Sequence, residues 1–160
     1  MESAVDIIKL AIENEVRAKA FYESAADLSE EGESQMVFLE LIEMESGHAR
    51  LLVDRFGDLV REAGTDPEAL LADLLARIEE GLSGEAARRI ESADMHAVVE
   101  FAIEMEASAR DNYQSLARRV AEPELIDLCR ELADEEQSHH DILSRLRVSM
   151  DTPPEERPGL

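Results

Sequence analysis

The chain has 160 residues, enough for one domain with a full core. Its net charge of −22 argues against nucleic acid and anionic membranes as partners, since both select Lys and Arg patches, and it suits a protein that attracts cations. Solubility alone accounts for most of the 38 acidic residues.

Helix formers dominate, aromatics are 4% and there is no Trp, which favours an all-α fold. A single cysteine, Cys129, excludes an intrachain disulfide and points to a reducing cytoplasm. The opening MESAVDIIKL has no basic segment followed by a long apolar run, so no signal peptide is expected. No stretch of about 18 apolar residues is present to span a membrane.

Four long helical patterns run along the chain. The first extends from Ser3, which reads as its N-cap, to Ser29, with the apolar stripe Val5, Ile8, Ile12, Ala18, Tyr22 and Ala26. After the turn at residues 29–34, the second carries Phe38, Leu41, Leu52, Phe56 and Leu59 and stops near Gly64. A connection of about 30 residues follows, within which Thr65-Asp66-Pro67-Glu68 reads as a helix start and the Leu-rich run to Ile78 as one short helix, broken by Gly81 and Gly84. The third pattern starts near Asp94 and carries Val99, Ala102, Ile103, Ala109, Tyr113, Leu116 and Val120. Pro123 suits the first turn of the fourth, which carries Leu125, Cys129, Leu132, Leu143 and Leu146. Residues 1–150 therefore read as the folded domain, and 151–160, with three prolines, as a loose tail.

The two halves repeat. The sixteen residues from Ala11 align with those from Ala102, eight of them identical, and the segments around Glu45 and Glu136 align at the same 91-residue offset. The expected architecture is an antiparallel four-helix bundle of two repeated helical hairpins, joined by a long crossover containing a short helix, with internal two-fold pseudo-symmetry.

Six ionisable residues interrupt the apolar stripes and obey that offset. Glu15, Glu45 and His48 in the first half correspond to Glu106, Glu136 and His139 in the second. Burying such groups costs several kcal/mol each unless they are compensated. All six fall on the inward seams, and each glutamate of the four lies 15 residues from its turn, about 22 Å along the helix axis. Each lone Glu thus meets a Glu-x-x-His at its own level, and residues three apart share a helical face. Four carboxylates balance two divalent cations, and two imidazoles complete the shell. Without metal the carboxylates would repel one another and some would take up protons. Oxygen and nitrogen donors favour iron, or manganese, over a closed cysteine-rich zinc site, although zinc can occupy such a site. Glu-x-x-His alone is a weak signal in a chain with 26 glutamates, though not an automatic one: His96 has Ala93 at that place and His140 has Gln137. Two such pairs with two partner glutamates at one offset form a strong one.

The motifs Glu15-x-x-Ala18-x-x-x-Tyr22, Glu45-x-x-His48, Glu106-x-x-Ala109-x-x-x-Tyr113 and Glu136-x-x-His139 resemble those of the rubrerythrin branch of the ferritin-like superfamily, over residues 3 to 149. The resemblance implies a ferritin-like bundle with two irons that reacts with hydrogen peroxide or dioxygen. It also implies Glu15 and Glu106 as terminal ligands, Glu45 and Glu136 as bridging ones, and one histidine per metal. Peroxide-reducing relatives typically carry a further Glu where this chain has Ala109, and commonly a rubredoxin module of paired Cys-x-x-Cys, which one cysteine cannot build. Any electron donor is then a separate protein such as a rubredoxin. The crossover is longer than usual, and the remaining six-residue set resembles the bacterioferritin ferroxidase centre equally well.

Tyr22 and Tyr113, seven residues after Glu15 and Glu106, are placed to hydrogen-bond a carboxylate of the facing helix. Cys129 stands where the first half has Phe38 and reads as a small core residue. Met44 and Met105 read as gap fillers, His140 as a rim residue, and Arg88, Arg89, Arg118 and Arg119 as solvated helix ends. Three functions follow in order of fit: a di-iron oxidoreductase, an iron-oxidising storage or delivery protein, and a metal-free structural bundle. A homodimer is expected, because bundles of this kind often pair on apolar faces.

Overall fold

The computed structural model describes residues 3–79, 82 and 84–157. Among them are six α-helices and no strand: α1 (Ala4–Leu28), α2 (Glu33–Glu62), α3 (Pro67–Glu79), α4 (Gly84–Glu91), α5 (Met95–Ala117) and α6 (Pro123–Asp151). A 3₁₀ turn, Pro154–Glu156, follows.

The helix starts are where local chemistry puts them. Ser3 Oγ accepts from the Asp6 N–H at 3.1 Å while Asp6 Oδ2 accepts from the Ser3 N–H at 3.3 Å, a reciprocal capping box that opens α1. Asp94 Oδ1 accepts from the N–H of His96 at 3.0 Å and caps α5. Pro123 opens α6, where a missing N–H leaves nothing unpaired.

α1 packs along α2, and α5 along α6, each pair far more extensively than any other combination. The long third and fourth helical segments expected from periodicity are α5 and α6. The connection differs from expectation, because it holds two helices among the described residues. α3 lies against α1 and α2, and α4 against α5 and α1. The second helix escaped the sequence reading because Gly84-Glu-Ala-Ala-Arg-Arg-Ile-Glu carries one large apolar residue. Ala86 and Ile90 nonetheless pack on the core, and Glu85 pairs with Arg88 and, at 2.7 Å, with Arg89. Gly84 opens α4 at a φ of +66°, a region that a Cβ disfavours. Gly81, expected to break the first of them, lies outside the described residues. In the C-terminal segment, Arg157 Nε–H donates to the Thr152 carbonyl at 2.8 Å. No helix among the described residues is long and apolar enough to cross a membrane.

The apolar core comes in two clusters. One holds Ile8 and Ile12 of α1, Leu52 and Phe56 of α2, Tyr113 and Leu116 of α5, and Leu125 and Cys129 of α6. The other holds Tyr22 and Phe21, Phe38 and Leu41, Val99 and Ala102, and Leu143 and Leu146. Residues 91 apart fall in opposite clusters: Ile8 and Val99, Tyr22 and Tyr113, Phe38 and Cys129, Leu41 and Leu132, Leu52 and Leu143. The internal repeat therefore exchanges the two ends of the molecule, and what lies between them belongs to both halves.

Candidate metal centre

Between the two clusters lies a polar belt. α1 contributes Glu15, α2 Glu45 and His48, α5 Glu106, and α6 Glu136 and His139. The structure brings all six sequence-derived residues together. Five are no more than 3% exposed, and the His48 side chain, at 17%, is the one that reaches towards solvent. Each sits on an inward stripe because its spacing from the flanking apolar residues is helical.

His139 Nδ1 lies 2.9 Å from Glu45 Oε1, 3.4 Å from Glu136 Oε2 and 3.6 Å from Glu106 Oε1. His48 Nδ1 lies 3.3 Å from Glu15 Oε2. The two imidazoles are nearly parallel, 18° apart, with centroids separated by 5.7 Å. The donors form two groups, Glu45–Glu106–Glu136–His139 and Glu15–Glu45–His48, in each of which the ligand atoms lie within 4.8 Å of one another. Donors about 2.0–2.2 Å from one ion lie at most about 4.4 Å apart, so a small inward adjustment would let each group share an ion. Glu45 is common to both groups, and Glu136 falls with Glu106 and His139.

The fit to cations rests on polar atoms left without partners. Glu15 Oε2, both Glu45 oxygens, His48 Nδ1 and both His139 nitrogens are buried with no hydrogen bond; the short His139–Glu45 contact is not aligned as one. Orphaned buried atoms of this kind cost about 1–3 kcal/mol apiece. Here they converge on two points, so one pair of ions would satisfy them together. The donor set is carboxylate and imidazole only; Cys129 lies in an apolar cluster, its thiol pushed up by burial, and joins neither group. Such donors suit iron or manganese.

The electrostatics show what the belt does without cations. Burial, then the charge of Glu15, pushes the Glu45 carboxyl well above the usual range. Burial and the neighbouring Glu106 push Glu136 up to about 10. For Glu106, burial acts upward, but contacts with Glu136, His139 and the Tyr22 hydroxyl outweigh it and hold the carboxyl below its ordinary value. Burial alone would push the His139 imidazole down; contacts with Glu106, Glu136 and Glu45 outweigh it and raise it well above its usual range. Protons thus stand where cations would neutralise the same carboxylates.

The tyrosines behave as the repeat requires. Tyr22 on α1 donates to Glu106 Oε1 on α5, and Tyr113 on α5 donates to Glu15 Oε1 on α1 at 3.5 Å. Burial and those carboxylates raise both phenols well above their ordinary value, so they remain donors. Met44 and Met105 pack against the second cluster. His140 is partly buried, lies 3.6 Å from Asp141 and joins neither donor group.

One neighbour was not singled out in the sequence. Glu135, about half exposed, places Oε2 3.7 Å from His48 Nε2, on the side of the ring opposite Glu15. Its counterpart 91 residues earlier is Met44, so the repeat gives no sign of it. The only available signal was Glu-Glu in sequence, one residue off the inward seam.

No curated protein and no solved structure matches this chain. The family model for rubrerythrin matches residues 6–94 and 97–158, segments that contain all six belt residues and both tyrosines. With a buried carboxylate–histidine belt at the repeat's centre and a match along nearly its whole length, the chain belongs to the rubrerythrin family.

Proposed function

We propose that this protein is a non-haem di-iron oxidoreductase that reduces hydrogen peroxide or reacts with dioxygen. One ion would be held by Glu15, Glu45 and His48, the other by Glu45, Glu106, Glu136 and His139. The observation that carries the reading is Glu45: fully buried, with both oxygens unpartnered, and common to two convergent donor groups. The rubrerythrin family implies a non-haem di-iron site, and this belt is compatible with it. The helix pairs α1–α2 and α5–α6 are read as the two repeated antiparallel hairpins of a ferritin-like bundle.

Bound irons would supply the two electrons and the polarisation that split an O–O bond, one peroxide and two protons giving two waters. The chain's own residues prepare the place for that chemistry. Glu45 spans the two groups, and His48 and His139 supply one neutral donor on each side. The Tyr22 and Tyr113 hydroxyls hold Glu106 and Glu15 in orientation. The apolar clusters above and below keep water from the ends of the belt. Electrons would come from a separate donor protein such as a rubredoxin.

A second reading, oxidation of Fe²⁺ for storage or delivery, is favoured by one residue. Ala109 stands where peroxide-reducing relatives typically carry a seventh carboxylate, leaving a six-residue set that resembles a ferroxidase centre. Elemental analysis after anaerobic loading with Fe²⁺ tests the shared premise. About two irons per chain are expected, with fewer in Glu106→Ala. Relative rates of re-oxidation by peroxide and dioxygen, with gel filtration for an assembled cage, then separate the two readings. Absence of metal from the natural protein would overturn both and leave a buried polar belt neutralised by protons.

A further inference from the structure

The belt is closed at its two ends by the apolar clusters but not along the seam between α1 and α5. There a cavity of about 390 Å³ leads inward. Its exposed rim includes Arg17 and Asn112; Ala18, Met105 and Ala109, each partly buried, form its walls; Glu106 and Glu136, both buried, form its floor. Ala18 and Ala109 are equivalent in the repeat, each three residues after a belt glutamate on its own helix. Two methyl side chains lining a sparsely packed seam leave the space that larger residues would fill.

The size and chemistry of this space say what it takes. A water occupies about 30 Å³ of liquid, so the cavity is far larger than hydrogen peroxide or dioxygen needs, and it falls within the usual range for organic ligands. The walls are largely apolar, with Phe101 beside Met105. Arg17, the cation among its described lining residues, is held by Glu13 at 2.5 Å, while Glu104 stands at the rim and two carboxylates at the floor. An anionic ligand would face the carboxylates of Glu104, Glu106 and Glu136 against the one already paired Arg17, whereas an uncharged molecule with an apolar body would not be repelled.

We propose that the α1–α5 cavity seats the organic part of an alkyl hydroperoxide, with its O–O group directed at the Glu106–Glu136 floor. The inference rests on the di-iron reading and extends its substrate class. In the reaction the O–O bond would break with two electrons supplied by the bound irons and two protons taken up, giving one alcohol and one water. Hydrogen peroxide is accommodated in the same space but makes no use of the walls.

Cumyl alcohol, the unreactive product analogue of cumene hydroperoxide, is titrated into metal-free protein while the Met105 methyl resonance is followed. A saturable shift is expected, weakened about tenfold or more by Ala109→Leu, as for a hydrophobic pocket filled by extra carbons. Iron content and the rates with cumene hydroperoxide and hydrogen peroxide are then measured on both proteins. The expected result is unchanged iron with a rate ratio shifted about tenfold against cumene hydroperoxide in the variant. Ala18→Leu fills the cavity from the facing helix and serves equally if Ala109→Leu does not fold. Two irons per chain with no saturable alcohol site, or with an unchanged ratio, overturns this proposal alone. Failure of the natural protein to take up iron overturns the di-iron reading and this proposal with it.

Discussion

Tyr22 on α1 hydrogen-bonds Glu106 on α5, and the relationship is returned 91 residues later by Tyr113 on α5 to Glu15 on α1. Each phenol is fully buried, so its hydroxyl has no water to fall back on. These bonds tie helices that otherwise pack sparsely, and they fix carboxylates which the proposed ions would need in one orientation. Removing the hydroxyl in Tyr22→Phe leaves a buried Glu106 oxygen short of a donor. The expected cost is about 1–3 kcal/mol in a urea melt, with metal affinity at the Glu106 side reduced about tenfold or more. Tyr113→Phe should cost less, because its 3.5 Å contact lies at the outer limit of a hydrogen bond.

Glu45 and Glu15 should differ in kind. Glu45 belongs to both donor groups and Glu15 to one. Elemental analysis after loading should find Glu45→Gln depleted of both ions and Glu15→Gln of one. Without metal, Glu45→Gln should be at least as stable as the natural protein, because burial and the charge of Glu15 make its carboxylate costly to ionise. A melt of both chelated proteins checks that sign.

The pH dependence of the metal-free protein follows from the raised groups. Glu136 is held at about 10 in the folded chain against about 4.5 unfolded, so the folded state keeps a proton that the unfolded state releases. Its contribution is complete below the unfolded value and declines as pH rises towards 10, by at most about 1.4 kcal/mol per pH unit. Glu45 is raised in the same sense, and His139, raised above its ordinary value, adds to the decline above about pH 6.5. The melting temperature of chelated protein should therefore fall between pH 5 and pH 9. Metal-loaded protein should fall less or rise, because deprotonation favours the ligands.

His48 is the histidine nearer solvent, and Glu135 faces its outer nitrogen. A carboxylate there favours the tautomer with hydrogen on Nε2, leaving Nδ1 free to bind a cation beside Glu15. Glu135→Ala should weaken the ion on the Glu15–Glu45–His48 side by about ten- to a hundredfold and leave the other ion unaffected. Isothermal titration, with two separable binding steps, reads both.

The four long helices and the six belt residues were legible because helical period and the 91-residue offset act as two independent constraints on the same positions. Caps at Ser3 and Asp94 and the proline at 123 marked starts because each has a local partner within three residues or needs none. α4 was not legible, since its stability comes from Ala86 and Ile90 on a distant core and from charge pairs, not from a stripe of its own. Glu135 lies one position off the inward seam and breaks the repeat, so neither constraint points to it. The α1–α5 cavity depends on the distance between helices, a quantity that small residues such as Ala18 and Ala109 permit but do not set.

Each apolar cluster draws on all four long helices, one end from the α1–α2 pair and the opposite end from the α5–α6 pair. Neither pair owns a core. A chain cut between α3 and α4 would yield two pieces, each exposing half of both clusters and half of the ionic belt. Each piece would carry exposed apolar surface that only the other covers. A single half of the repeat standing alone would meet the same demand, since the surfaces it exposes are those that a second copy could cover.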